Sequence, residues 1–245
     1  MGIRTALWEK WVEFRDAWLR ITLSAVISPL LYLIAFGYGL GGHTGADGQP
    51  YIAFLIPGVI ALSSMNTGYS SVATPLNVQR LYEHSFEQIL ISPTPLGQYI
   101  LGETFGGALR GLYVAALVLL LSLPFGVEMQ VNALFFVVIF LNGATFAALG
   151  VLAAIMAKTH ADVARFSTFV ITPMTFLCNT FFSLEKLPTA LKAAIGCLPL
   201  SYASSILRAV SYGESWKFSE LLLLLCYLGV FLTGTYVYII KKKSL

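Results

Sequence analysis

Few residues of this sequence have the types and spacing that catalysis or metal binding requires. The three histidines, His43, His84 and His160, lie far apart, and the three cysteines are scattered along the chain. No HExxH, GxSxG or GxxxxGK[ST] pattern occurs, so neither hydrolytic chemistry nor P-loop nucleotide binding is indicated. We therefore predict no catalytic residue, no metal site and no cofactor held by this chain.

The residues best suited to contacting another protein lie between the second and third apolar stretches, in residues 75–103. This region is too polar to cross a membrane, and Glu83 and Glu87 would share one helical face at a spacing of four. Pro93 and Pro95 would end that helix. The pattern predicts an amphipathic helix at about 78–91 that offers acidic and apolar groups to a partner.

The composition shows what kind of elements must position these residues. The chain has 245 residues, of which 57% are hydrophobic and 11% charged, whereas soluble domains carry about 25% charged residues. A membrane helix needs about 20 mostly apolar residues, and six stretches qualify: 21–40, 52–74, 104–127, 131–157, 166–184 and 218–240. Of the 27 charged residues, only Arg110 and Glu220 fall inside them. We predict an all-α integral membrane protein with six transmembrane helices in a single transmembrane domain, residues 1–245.

Lysine and arginine are distributed unevenly between the two sides that six crossings define. One side, which includes both termini, carries eleven of them and the other side carries four. The positive-inside rule places both termini in the cytoplasm. The net charge of +3 is too small to suggest a nucleic-acid partner.

The first twenty residues predict a separate amphipathic helix. Its apolar stripe consists of Ile3, Leu7, Trp11, Phe14, Trp18 and Ile21. Glu9, Glu13 and Asp16 lie on the opposite side, as expected for a helix in the surface of the cytoplasmic leaflet, in contact with lipid. A soluble helix packed against a partner protein is the alternative.

Residues 185–213 predict two short helices on the outer side, separated near Pro199. Each is half the length of a membrane span, which favours a re-entrant pair over a crossing. A surface hairpin of two helices is the alternative. Within the third span, Arg110 is expected to reach the cytoplasmic interface or to pair with Glu103, two turns earlier.

Three motifs make the chain resemble the type-2 ABC exporter permeases. They are YIAFLIPG at 51–58, FEQILISPTP at 86–95 followed by GETFGGALRG at 102–111, and LPLSYASSILRAV at 198–210. The order and spacing of these motifs cover nearly the whole chain. The family consists of six-helix membrane subunits that export drugs, nodulation lipo-oligosaccharides and cell-surface polysaccharides.

The resemblance implies roles for several elements. Residues 78–91 would be the coupling helix that docks on an ATP-binding cassette ATPase subunit, through Glu83, His84, Phe86, Glu87 and Gln88. The outer helices would close the outward mouth, with Pro199, Tyr202 and Arg208 as gating candidates. Two copies would work with two ATPase subunits, which bind the ATP and Mg²⁺, in a bacterial inner membrane. The basic-acidic pair that often precedes the family's matching carboxylate is absent here.

The residues leave the substrate open among amphipathic drugs, lipo-oligosaccharides and polysaccharides. Aromatic candidates for the pathway are Tyr32, Phe36, Tyr38, Tyr69, Phe176, Phe181 and Phe182, although ordinary packing explains them equally well. A secondary transporter or channel that works without an ATPase is one alternative function, and a non-transporting membrane scaffold is another. The first would need ionisable groups at membrane depth, of which the sequence offers almost none.

Overall fold

The computed structural model describes residues 2–39, 50–92, 94–178, 180–181 and 188–243. Ten α-helices occur in these ranges, and no β-strand does. They are α1 (Gly2–Gly39), α2 (Tyr51–Leu81), α3 (Ser85–Ile91), α4 (Leu96–Ser122), α5 (Ala133–Met156), α6 (His160–Phe166), α7 (Thr172–Leu177), α8 (Thr189–Gly196), α9 (Pro199–Tyr212) and α10 (Phe218–Lys243). A 3₁₀ turn, Leu123–Phe125, extends α4, and a π turn, Ser167–Ile171, joins α6 to α7.

Local sequence signals explain where several helices begin and end. Pro50 and Pro95 directly precede α2 and α4, where a proline costs no helical hydrogen bond. Asn132 caps α5 by accepting a hydrogen bond from the Phe135 N–H at 3.0 Å. Gly213 ends α9 in the left-handed conformation, at φ +68°, which glycine adopts without steric cost.

The bundle has α2 and α5 at its centre. Of their most apolar 18-residue stretches, 72% and 78% of the residues are buried, against 11% for α1 and 17% for α10. Small residues bring the central helices together, since a side chain at Gly68 would meet the Gly143 backbone of α5. The outer faces of α1 and α10 carry exposed apolar side chains, among them Leu23, Ile27 and Val230, as lipid contact requires.

Within the described residues, five helices are long and apolar enough to cross a membrane: α1, α2, α4, α5 and α10. The predicted fifth span, 166–184, is instead divided among the end of α6, the π turn and α7, which ends at Leu177. Pro173 lies at the start of α7 and lacks the N–H that would continue regular α-helical bonding, which accounts for the widened turn before it. Residues 179 and 182–187 lie outside the described chain.

The helix α1 consists of two helical segments that meet at a kink at Ala17, where φ is −123° and ψ is 15°, close to the predicted boundary between residues 1–20 and the first span. The acidic side of the first segment does not face water as expected, because Glu9 and Glu13 contact α2 and α4. Glycines on α4 explain this orientation, since Gly102 allows the close approach of Ala6.

Candidate functional site

The predicted helix at 78–91 is two elements. The second helix continues to Leu81, residues 82–84 form a turn, and only Ser85–Ile91 form α3. His84 causes the break because its φ of 55° lies in the left-handed region, which ends regular α-helix. We call residues 82–92 the coupling segment.

The coupling segment is anchored by one aromatic side chain and otherwise faces outward. Phe86 is buried beside Tyr99, with ring centroids 6.1 Å apart. Glu83, His84, Glu87 and Gln88 are exposed. Ile91 has 87% of its surface exposed, so the segment presents acidic and apolar groups together. Phe86, predicted as a docking residue, therefore fixes the segment to the bundle.

The left-handed conformation of His84 predicts opposite effects for two substitutions. A non-glycine residue in this region costs about 1–2 kcal/mol, and a β-branched side chain adapts to it least well. Because His84 already bears this cost, we expect His84→Val to lower the free energy of unfolding by only part of it, less than about 1–2 kcal/mol, and His84→Gly to preserve or raise it. Thermal unfolding of the purified variants measures both, and an unchanged midpoint for His84→Val would contradict the assignment.

Hydrogen bonds connect the root of the coupling segment to the α5–α6 connection. The Arg80 guanidinium donates to the carbonyl of Ala154 at 2.6 Å and to those of Ile155 and Ala157. A cation in this position satisfies the free carbonyls at the carboxyl end of α5. One turn earlier, Asn77 Oδ1 lies 3.1 Å from His160 Nδ1. Motion of the coupling segment would therefore be transmitted to α5 and α6.

Helix α6 begins beside the contact between Asn77 and His160, and its first turn has an N-terminal cap. The N–H and the hydroxyl of Thr159 complete a capping box with Asp162. Hydrogen bonds from the Thr159 backbone and side chain hold the pKa of Asp162 below its usual value. The carboxylate is therefore ionised at neutral pH and stabilises the start of the helix.

Ion pairs attach α1 to α4. Lys10 Nζ lies 3.1 Å from Glu103 Oε2, and both side chains are almost completely buried. Glu13 bridges the pair to Arg110, at 3.7 Å from Lys10 and 3.4 Å from Arg110. Of the two alternatives expected for Arg110, the pairing with Glu103 is wrong, because Lys10 of α1 occupies that position and Arg110 pairs with Glu13.

A polar contact extends this network to the coupling segment. Gln79 donates to the Glu9 carboxylate, and its backbone carbonyl accepts the Ser85 hydroxyl at 3.4 Å. The first residue of α3 is thus two hydrogen bonds away from α1. Sequence reasoning missed these partners because nothing in the local pattern identifies a contact between residues 79 and 9.

A cavity of about 560 Å³ opens between α1 and α2, and Arg110 of α4 contributes to its wall. Eleven of the sixteen lining residues have polar side chains: Glu13, Ser24, Ser28, Tyr32, Ser63, Asn66, Thr67, Ser70, Ser71, Thr74 and Arg110. Ile21, Ala25, Pro29, Leu62 and Pro75 complete it. The spacing of the α2 residues, at steps of three and four, was visible in the sequence as a polar helical stripe.

The aromatic pathway candidates separate into two places. Tyr32, Phe36 and Phe176 surround Phe181, with ring centroids 4.9–5.7 Å from it. Tyr69 is buried elsewhere and stacks on Phe166 at 6.1 Å. Among the candidates that the structure describes, Tyr32 alone lines the cavity. Phe182 and the side chain of Tyr38 lie outside the described part.

The three gating candidates lie on or at the start of α9. Pro199 is its first residue and Tyr202 is half-buried. Arg208 donates to the Phe54 carbonyl at 3.2 Å and lies over the Phe54 ring at 3.6 Å. Burial raises the pKa of Tyr212 to about 12, so its hydroxyl stays protonated and donates to the Ala53 carbonyl at 2.7 Å. These bonds tie α9 to the first turn of α2.

The described residues do not form a group of possible metal ligands. Across its described ranges, no three His, Cys, Asp or Glu side chains group as a metal ion would require. The site therefore consists of the coupling segment, an ion-pair network and a cavity, arranged along apolar helices.

Comparison with known proteins shows which family this chain belongs to. Residues 1–212 match the ABC-2 type transporter family. The chain belongs to that family. Membership makes it the membrane subunit of an ABC exporter, and its five long apolar helices make it a multi-pass membrane protein.

Two kinds of relatives of this ABC-2 permease are informative. It is 33% identical over 207 residues to the inner membrane transport permease YadH of Escherichia coli strain K12, covering 83% of this chain and 80% of the relative. It is 29% identical over 204 residues to nodulation protein J of Rhizobium meliloti strain 1021, covering 81% and 78%. Both similarities span most of the permease.

Proposed function

We propose that two copies of this permease form the pathway of an exporter that a separate ATP-binding cassette ATPase drives. The ATPase would hold the ATP and Mg²⁺, and this chain would supply no catalytic group. The substrate would be amphipathic or lipid-linked, as a drug, a lipo-oligosaccharide or a polysaccharide on a lipid carrier would be. The family match supports the class, and the named relatives support transport in an inner membrane.

The observation that carries the ATPase partnership is the geometry of the coupling segment. Its acidic and apolar side chains are exposed, yet Phe86 fixes it to a buried cluster that also contains Ala6 and Ile239. A docked protein could therefore push on a firmly attached element. Arg80 would pass that motion to α5, and Gln79 would pass it to α1. Two packings of similar free energy, biased by docking, are enough to couple ATP hydrolysis to opening.

The proposed orientation places the coupling segment and both termini in the cytoplasm. Ala6 near the start and Ile239 near the end share one cluster with Phe86, which supports a common side. The lysine and arginine bias supports the cytoplasm as that side. In this orientation α8 and α9 lie at the outer side, where Pro199, Tyr202 and Arg208 would help to close the outward mouth. The exposed Trp8, Trp11 and Trp18 of α1 would contact lipid.

Reversing one charge on the coupling segment tests the proposal. Glu87 is exposed, with 70% of its side chain accessible, so Glu87→Lys should fold normally. We expect it to reduce copurification of the ATPase and transport-coupled ATP turnover by about tenfold, since a charge reversal at a docking surface costs about 1–2 kcal/mol. Glu128→Lys is the matched control, because Glu128 is also exposed but lies in the α4–α5 connection.

Unchanged ATPase association and turnover in Glu87→Lys would reject docking at this segment. Transport that continues without any ATPase would instead favour a secondary transporter or channel. ATPase binding with no substrate-stimulated hydrolysis would favour a non-transporting scaffold.

A further inference from the structure

The motif YIAFLIPG, at 51–58, forms the beginning of α2, apart from the coupling segment and from the residues that line the cavity. Its proline, Pro57, lies inside the helix. In a regular α-helix the carbonyl of residue 53 accepts a hydrogen bond from the N–H of residue 57. Proline has no N–H, so Pro57 leaves the Ala53 carbonyl without its usual donor. A carbonyl left in this way inside a membrane protein is costly unless another donor reaches it.

Helix α9 supplies the missing donor. The Tyr212 hydroxyl donates to the Ala53 carbonyl at 2.7 Å. The guanidinium of Arg208 donates to the next carbonyl, that of Phe54, at 3.2 Å and lies over the Phe54 ring, 3.6 Å from its centroid. Tyr212 and Arg208 are four residues apart on α9, so one face of that helix reaches two adjacent carbonyls of α2. We call these two hydrogen bonds the α2–α9 contact.

The same end of α2 also packs on the chain that follows α7. The Tyr51 hydroxyl donates to the Phe181 carbonyl at 2.6 Å. A Cβ atom at Gly58 would lie 2.7 Å from the carbonyl oxygen of Thr180, so the absence of a side chain allows this backbone to come close. The tyrosine, the proline and the second glycine-like requirement of the motif therefore all serve contacts with the elements that surround the beginning of α2.

Cys178 is buried where α9 meets the end of α7. None of its surface is exposed, and it belongs to the buried cluster that also contains Ala203 and Leu207 of α9. The Ser204 hydroxyl of α9 donates to the Cys178 carbonyl at 3.0 Å. A movement of α9 away from α2 would therefore expose Cys178 to water.

We propose that Tyr212 is a positioning residue of the transport cycle, whose hydroxyl replaces the N–H that Pro57 lacks and holds α9 closed on α2 until the cycle releases it. The inference rests on the proposed exporter function and on the proposed orientation, in which α9 lies at the outer side. When α9 moves away, water can bond to the Ala53 carbonyl in place of Tyr212. Because one hydrogen bond is exchanged for another, the closed and open packings stay close in free energy.

The reactivity of Cys178 tests the proposal. Cys197 and Cys226 are exposed, and replacing both with serine leaves Cys178 as the reporter. This background variant, in the permease–ATPase complex in nanodiscs, is treated with a hydrophilic maleimide, and the labelling rate is measured with and without ATP and Mg²⁺. We expect slow labelling at rest and labelling about fivefold faster or more during ATP turnover. Tyr212→Phe should reach a similar rate without ATP, since it removes one hydrogen bond from the closed packing.

A second substitution shows whether the hydroxyl acts through the proline. In Pro57→Ala the N–H of residue 57 can bond to the Ala53 carbonyl, so Tyr212→Phe no longer leaves that carbonyl without a donor. We expect Tyr212→Phe to change the resting rate by less than about twofold in the Pro57→Ala background. A purely structural role of the tyrosine would give the same factor in both backgrounds.

Tyr227→Phe is the matched control. The Tyr227 hydroxyl also donates to a backbone carbonyl, that of Cys197, but it joins α10 to the end of α8 and does not involve α2. We expect its resting labelling rate to equal that of the background variant. The thermal unfolding midpoint shows whether each variant is folded.

Resting labelling of Tyr212→Phe at the background rate would overturn the proposal. An unchanged background rate while the complex hydrolyses ATP would also overturn it, as would equal effects of Tyr212→Phe with and without Pro57. The exporter function is measured separately in the same preparations, through ATPase copurification and its loss in Glu87→Lys. A complex that hydrolyses ATP without these labelling changes rejects only the role of Tyr212, whereas a chain that binds no ATPase rejects the proposed function.

Discussion

Replacing Glu103 with alanine should lower the free energy of unfolding by about 3–5 kcal/mol, the usual cost of leaving one partner of a buried ion pair alone. Its carboxylate has no exposed surface, and Lys10 Nζ lies 3.1 Å away with only 7% of the lysine side chain exposed. Removing the carboxylate leaves an ammonium group between two apolar helices, and Glu13 at 3.7 Å compensates it only in part.

The reciprocal substitution and the double variant make this expectation specific. Lys10→Met should be destabilising to a similar extent, because it leaves the Glu103 carboxylate buried without a cation. Lys10→Met combined with Glu103→Leu should recover most of the loss, since apolar residues of similar volume often replace a buried pair without cost. The midpoint of thermal or denaturant-induced unfolding in nanodiscs gives the stabilities of the wild type, the two single variants and the double variant, which together form a double-mutant cycle.

Additive losses in the double variant would contradict a direct pair. Losses below about 1 kcal/mol in both single variants would mean that water reaches the charges, as at a surface pair. If the pair also holds α1 in its working position, the double variant should remain folded yet show altered transport-coupled ATP turnover.

This pair illustrates what the sequence could and could not predict. Hydropathy placed the cores of α2, α4, α5 and α10, because about 20 apolar residues in a row have few alternatives to spanning a bilayer. The same criterion could not identify the partner of Glu103, since the pairing depends on Gly102 and Gly106 allowing α1 to approach. Close approach is a property of two helices and is not encoded in either one alone.

The ends of the elements were harder to predict than their centres. The coupling helix was expected at 78–91, but α2 continues to Leu81 and α3 starts only at Ser85. Periodicity continues through this break because His84 interrupts the helix by its backbone conformation and not by its polarity. The predicted fifth span lost its regular form for a related reason, the missing N–H of Pro173.

The exposed residues of the candidate site were easier to predict from the sequence than the residues that line the cavity. The exposed position of acidic residues such as Glu87 could be predicted because only 11% of the residues are charged and almost all of these lie outside the apolar stretches. We expected aromatic residues along the pathway, whereas seven of the sixteen residues that line the cavity are serines and threonines of α1 and α2. The spacing of three and four between these residues is visible in the sequence. Serine and threonine bond to their own helix so often, however, that this spacing alone does not predict a cavity.

Gly68→Ala should destabilise the permease by about 1–3 kcal/mol, the usual cost of overpacking, even though alanine favours helix over glycine by about 1 kcal/mol. A Cβ atom at this position would lie 2.6 Å from the Gly143 carbonyl oxygen and 3.1 Å from its Cα. Backbone atoms cannot rotate away as a flexible side chain would. The helices α2 and α5 would have to separate, and α4 with them, because Gly107 also packs against the Gly68 carbonyl.

The same substitution on an outer helix should have the opposite sign. Beyond the backbone of its own helix and its chain neighbours, no heavy atom of the described residues lies within 4 Å of a Cβ built at Gly229 of α10. Gly229→Ala should therefore stabilise the protein by up to about 1 kcal/mol through helix propensity. Unfolding midpoints of the two variants in one nanodisc preparation make the comparison, and a higher midpoint for both would show that helix propensity governs both positions. A loss confined to Gly68 would establish that the α2–α5 contact depends on the absence of a side chain. Gly68→Leu should then prevent assembly of the bundle, because the added side chain enters a contact that has no room for one methyl group.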